Sequence, residues 1–181
     1  SGKRMRAGGG DRAWGNRALS RVIKARNSGL KWMKALVVAY RGTVKCDATM
    51  DGYVWSEDVY DFSEEQGDME KKLINLGHMV KYGEDPIELM TMKNPQDVYN
   101  PIYSPMMDPD KSNMPYTLMI SCEYDGLRQQ DEFYVMQLRK AGNKAKCIRY
   151  GGISHAIIDR LGHGPQAEDI VNETVNIINE L

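Results

Sequence analysis

The chain has 181 residues, 41% hydrophobic and 27% charged, the size and make-up of one globular domain. A formal net charge of −1 excludes a strong whole-molecule pull toward nucleic acid or membrane. No apolar run is long enough to cross a bilayer and no signal-peptide pattern is visible, so the expected location is the cytoplasm.

The first 35 residues are lopsided. Lys3, Arg4, Arg6, Arg12, Arg17, Arg21, Lys24, Arg26, Lys31 and Lys34 face a single acid, Asp11, and the remainder of the chain is acidic. Such an arm can bind phosphate backbones, but no aromatic interleaving accompanies it. A solvated face is the favoured reading, and neither nucleic acid nor membrane is expected as a partner. Residues 18 to 26 read as a helix ended by Asn27-Ser-Gly29, and Lys34-Ala-Leu-Val-Val-Ala-Tyr40 reads as a buried strand.

Residues 41 to 115 then separate this strand from the next apolar run, far too long for a simple loop. Ser56 is a plausible N-cap. Met69, Leu73, Leu76 and Val80 lie at helical spacing within residues 64 to 81, and residues 85 to 92 suggest another short helix before Asn94-Pro95. Met69, Met79, Met90, Met92, Met106 and Met107 suit either core filling, which is favoured, or the lining of an adaptable apolar pocket.

The most informative stretch runs from Tyr116 to His155. Tyr116-Thr-Leu-Met-Ile-Ser-Cys122 reads as a buried strand, broken at Glu123-Tyr-Asp-Gly126. Residues 129 to 141 read as a helix with Phe133, Met136 and Leu138 on its apolar side and Gly142 in the C′ position. A short strand over residues 144 to 150 leads into the glycine loop Gly151-Gly-Ile-Ser-His155. In a parallel sheet both loops fall on one edge, so Asp125 and His155 become candidate orienting acid and proton-transferring base. After Gly162-His-Gly164 a final helix begins, with Pro165 in its first turn and Ile170, Val171, Val175, Ile177, Ile178 and Leu181 as its apolar face. Cys46, Cys122 and Cys147 are an odd count without metal spacing, and His78 and His163 complete no ligand set, so no metal or cofactor is expected.

Tyr124-Asp-Gly-Leu-Arg128, Leu138-Arg-Lys-Ala-Gly142 and Tyr150-Gly-Gly-Ile-Ser-His155 together resemble the C-terminal portion of an α/β-hydrolase of the hormone-sensitive-lipase-like esterase group. The resemblance covers roughly residues 7 to 181 and is specific from 115 onward. It implies an α/β fold: a parallel sheet with flanking helices, forming a single partial domain over 1–181 with a lid-type insertion at 41–115. It also implies a catalytic Asp125 and His155, a small acyl ester as substrate, and no cofactor.

That family carries a Gly-x-Ser-x-Gly nucleophile elbow on a strand-to-helix turn, commonly Gly-Asp-Ser-Ala-Gly-Gly-Asn. The aligned run here is Gly10-Asp-Arg-Ala-Trp-Gly-Asn16, with Arg12 at the serine position and Trp14 at the next elbow glycine. A guanidinium stays protonated and offers only donors, so it cannot attack an acyl carbon. The family's His-Gly-Gly-Gly-type oxyanion loop lies far upstream of its elbow, whereas only about ten residues precede this one. The expectation is therefore a truncated or impaired esterase copy, or alternatively a non-catalytic binding or interaction module. It would hold three of the family's strands, with residues 35 to 40 exposed as an apolar edge that invites a homo-oligomer or another partner.

Overall fold

A computed structural model of the chain describes residues 7–45, 52–63, 65, 68, 71, 92, 94–160, 162 and 164–181. Its framework is β1 (Ala7–Asp11), α1 (Arg12–Asn27), β2 (Ala35–Ala39), β3 (Tyr116–Tyr124), α2 (Arg128–Lys140), β4 (Ala145–Ser154) and α3 (Pro165–Asn179). The sheet is entirely parallel and its strands lie in chain order, β1-β2-β3-β4. A parallel sheet must be covered on both faces, which explains why β2 and β3 are near-continuous apolar runs.

Side-chain alternation divides the core in two. Leu36, Val38 and Met119 point toward α1 and α2, where they meet Leu19, Val22, Ile23, Tyr134, Val135 and Leu138. Ala35, Ala39, Leu118, Ile120 and Cys122 point the other way, toward Ile170 and Ile177 of α3. The result is a three-layer α/β sandwich, the fold class anticipated from the sequence.

Several details differ from expectation. Four strands are present among the described residues, not three. The 35–40 strand is not an edge, because β1 covers it with register Gly9↔Val37. A Cβ on Gly9 would lie 2.8 Å from the Val37 carbonyl oxygen, so only glycine permits this approach. The first helix begins at Arg12 rather than Ala18, directly from the end of β1. β4 continues past Tyr150 to Ser154: after an irregularity between Cys122 and Tyr124, pairing resumes as Tyr124↔Ser154. The Gly152 N–H meanwhile donates to Glu123 Oε2 at 2.6 Å.

In α2 the inward residues are Tyr134, Val135 and Leu138, while Met136 is half exposed. Positions 131, 134, 135 and 138 share one helical face, and 136 lies away from it. Gly142 does take the left-handed C′ conformation at φ +82. The Asn143 N–H donates to Leu138 O and the Gly142 N–H to Arg139 O, which completes a Schellman motif. In α3, Ala167, Ile170 and Ile177 are buried, but Val171, Val175 and Ile178 are exposed, as is Leu181 just beyond the helix, so the apolar face is wider than the surface it covers.

Ser56 caps a 3-10 turn at Glu57–Val59 by accepting the Asp58 N–H. Further short turns occupy Pro95–Tyr99 and Pro105–Met107. Most of the expected 64–81 helix and of the 85–92 segment lies outside the described residues, as do Met69, Met79, Met90, Cys46, His78 and His163.

Candidate active site

Parallel strands deliver the residues that follow them to one edge of the sheet. Arg12 follows β1, Tyr40 follows β2, Asp125 follows β3 and His155 follows β4. For the strand ends this is the carboxyl edge, where open α/β sheets bind ligands.

Asp125 is held from several directions. Its Oδ1 accepts the Leu127 N–H at 2.9 Å, and its carbonyl accepts the Arg128 N–H at 2.9 Å and the Tyr60 hydroxyl at 2.8 Å. The first bond is the local turn chemistry of aspartate. The carboxylate is nearly sealed from solvent, and Oδ2 lies 2.7 Å from His155 Nδ1. The imidazole therefore carries its proton on Nδ1 when neutral, which leaves the Nε2 lone pair free to accept one. Nε2 is buried and has no hydrogen-bond partner among the described residues.

Two buried carboxyl groups lie close together here. Asp131 is fully enclosed, and burial, reinforced by the negative charge of Asp125, pushes its carboxyl well above the usual carboxylate range. One Asp131 oxygen accepts the Arg41 N–H at 3.0 Å.

Residues that sequence reasoning did not single out build the supporting shell. The Tyr40 ring meets the His155 ring edge-on, with centroids 5.0 Å apart. Gln130 Oε1 accepts both the Thr43 and Val44 N–H groups, at 2.9 and 3.0 Å. The segment around residues 53–62 straps the acid turn. Trp55 donates to Gly126 O, Arg128 Nη2 donates to Val59 O, and the Arg128 guanidinium lies 4.4 Å from the Tyr60 ring centroid. The available signal was a polar cluster, Arg128-Gln-Gln-Asp131, at the start of a helix that needs its buried face filled.

An apolar cavity of about 500 Å³ opens on the α3 face beside β1, lined by residues that include Gly9, Val37, Ile158, Ile170, Val171 and Val175. Among the described residues no group of three or more His, Cys, Asp or Glu side chains could hold a metal, and no helix is long and apolar enough to cross a membrane.

Known proteins agree with this architecture. Residues 7–159 match the model of the family described as the alpha/beta hydrolase fold. An arylesterase of Saccharolobus solfataricus is 36% identical over 69 residues, which span 38% of this chain and 22% of that protein. The hyperthermophilic esterase from the archaeon Pyrobaculum calidifontis superposes with a TM-score of 0.69 at 25% identity, over 94% of this chain and 51% of its own. EstE1, a thermophilic carboxylesterase cloned from a metagenomic library, gives 0.67 at 26% identity, over 93% and 52%. The chain thus spans about half the length of these solved structures. The esterase-group resemblance read from Tyr124 to His155 is borne out, and the chain belongs to the alpha/beta hydrolase family.

Proposed function

We propose that this chain carries the acid–base half of a carboxylic-ester hydrolase for small acyl esters, in an altered copy whose nucleophile position is Arg12. The observation that carries the reading is the 2.7 Å contact between Asp125 Oδ2 and His155 Nδ1, combined with a buried Nε2 that has no partner among the described residues. Asp125 holds the imidazole tautomer and stabilises the imidazolium. Nε2 takes the proton of an attacking hydroxyl and returns it to the leaving alcohol. Arg12 cannot be that hydroxyl, because a guanidinium has neither a transferable proton at neutral pH nor a nucleophilic lone pair. In this reading residues 1–181 act as one partial domain, and residues 41–115 act as a lid-type insertion.

The test is hydrolysis of a short-chain p-nitrophenyl ester by the purified chain and by His155→Ala, together with labelling by a fluorophosphonate. Turnover abolished by His155→Ala supports a working acid–base pair, with the nucleophile supplied from elsewhere. Fluorophosphonate labelling of the unaltered chain would overturn the statement that its own nucleophile is lost. Absence of turnover in both proteins favours the second reading, a non-catalytic binding module. Arg12 itself motivates that alternative. The apolar cavity beside edge strand β1 supports a partner, or a second copy, docking there.

A further inference from the structure

We propose that Tyr40 is a positioning residue for the His155 imidazole, its ring fixing the plane of the imidazole and its hydroxyl anchoring the turn that follows. The inference rests on the acid–base reading of Asp125 and His155 and adds a residue that neither the sequence motif nor the family match assigns.

The first observation is backbone strain. Among the described residues three non-glycines have positive φ: Tyr40 at +38, Asn113 at +57 and Ala156 at +68. Asparagine tolerates the left-handed region, whereas tyrosine and alanine do not gain from it. Both of the unfavourable cases touch the same side chain. Ala156 is the chain neighbour of His155, and Tyr40 is its edge-on ring partner. Strain of this kind persists only where surrounding contacts over-determine it, and it concentrates at functional sites.

The second observation is what the unusual conformation achieves. The Tyr40 N–H stays in the sheet by donating to Ile120 O at 2.7 Å, while its ring, fully buried, packs beneath the histidine. The Tyr40 hydroxyl oxygen then accepts the Ile158 N–H at 3.2 Å, in the 3-10 turn Ile157–Arg160 just past His155. One side chain therefore touches both the imidazole and the backbone that carries it. A ring edge against the imidazole opposes rotation that would exchange Nδ1 and Cδ2, so Nδ1 stays on Asp125 and Nε2 keeps its orientation.

The experiment follows the His155 Nδ1 proton by NMR on the full chain with nitrogen-labelled histidine. Its loss in Asp125→Asn assigns the resonance. Tyr40→Phe keeps the ring but removes the acceptor of the Ile158 N–H. It should speed solvent exchange of that proton about fivefold, the scale of one net hydrogen bond. Tyr40→Leu should abolish the protected resonance. Tyr134→Phe, a buried tyrosine on the sheet's other face, should leave it unchanged. If Tyr40→Leu does not fold, the comparison of Tyr40→Phe with Tyr134→Phe decides. Exchange within twofold of the unaltered chain in Tyr40→Phe, equal acceleration in Tyr134→Phe, or no protected Asp125-dependent proton at the outset would each overturn the assignment. No turnover is needed for this readout. A chain inactive on esters with a Tyr40-dependent proton refutes the hydrolase reading alone, whereas an active chain with a Tyr40-independent proton refutes the positioning role alone.

Discussion

Gln130 offers the sharpest test of how the carboxyl edge is held together. It is completely buried, and its Oε1 accepts the Thr43 and Val44 N–H groups at 2.9 and 3.0 Å. Both donors belong to residues that are themselves inaccessible, so water cannot replace the amide. Gln130→Met keeps the length and approximate volume but removes the acceptor. Each stranded donor costs about 1–3 kcal/mol. The Gln130 Nε2 group has no partner among the described residues, so its removal returns part of that loss. The net expectation is a destabilisation of about 3 kcal/mol, a large fraction of a domain stability of about 5–15 kcal/mol. With a urea m-value of about 2 kcal/mol per molar, the unfolding midpoint should fall by about 1.5 M at unchanged m. Urea titrations followed by far-ultraviolet circular dichroism and by tryptophan fluorescence measure this directly. A midpoint shift below about 0.5 M would refute the reasoning, because it would mean the 41–45 segment satisfies its donors without Gln130.

Three further outcomes are expected. Asp131 has a raised folded pKa, so it binds a proton in the native state that the unfolded chain releases above its ordinary value of about 3.9. Its contribution is intact below that value and is lost as pH rises toward the folded pKa, at no more than about 1.4 kcal/mol per pH unit. Asp131→Asn should therefore gain on the unaltered chain between pH 4.5 and 7.5 in urea titrations, and a pH-independent difference would contradict this. Arg26 Nη2 lies 2.6 Å from Asp108 Oδ2 with both side chains nearly buried. Arg26→Met should cost about 2–3 kcal/mol, and the added change Asp108→Leu should recover most of it, because the penalty is an unpaired buried charge. Burial pushes the Cys147 thiol up to about 12. Cys147 and the buried Cys122 should thus resist iodoacetamide at pH 8 until urea is added, as read by peptide mass mapping.

What was legible in the sequence was mostly local. The apolar run at 116–122, the turn at Glu123–Gly126 and Gly142 each encode their conformation within a few residues, so β3, the Asp125 turn and the end of α2 could be read directly. Asp125 and His155 meet because two parallel strands end side by side, a consequence of topology that the strand–helix–strand pattern already contained. Other features were not local. Ala7-Gly-Gly-Gly-Asp11 has the composition of a linker and becomes a strand only by pairing with β2, where glycine permits close approach. Arg41-Gly-Thr-Val-Lys45 is largely polar in composition, yet it is buried. The Arg41 N–H donates to Asp131 and the Thr43 and Val44 N–H groups donate to Gln130, all nearly ninety residues away, while the Lys45 N–H donates to Ser104 Oγ. Likewise α3 is apolar on more of its circumference than it buries, because periodicity reports a face but not the width of the surface opposite.

The distribution of unfavourable terms bears on which reading of the site is right. Asp125 has a structural reason to exist: it caps its own turn and its carbonyl receives two donors, so its presence alone proves little about catalysis. His155 is different. Its Nε2 is buried without a partner among the described residues, at a penalty of about 1–3 kcal/mol. Its neighbours Tyr40 and Ala156 add backbone strain of about 1–3 kcal/mol each. An apolar residue at 155 would remove the first penalty. Unfavourable terms gathered at one imidazole do not favour stability, and they fit the proposed role of His155 as a base whose lone pair must meet a group brought to it.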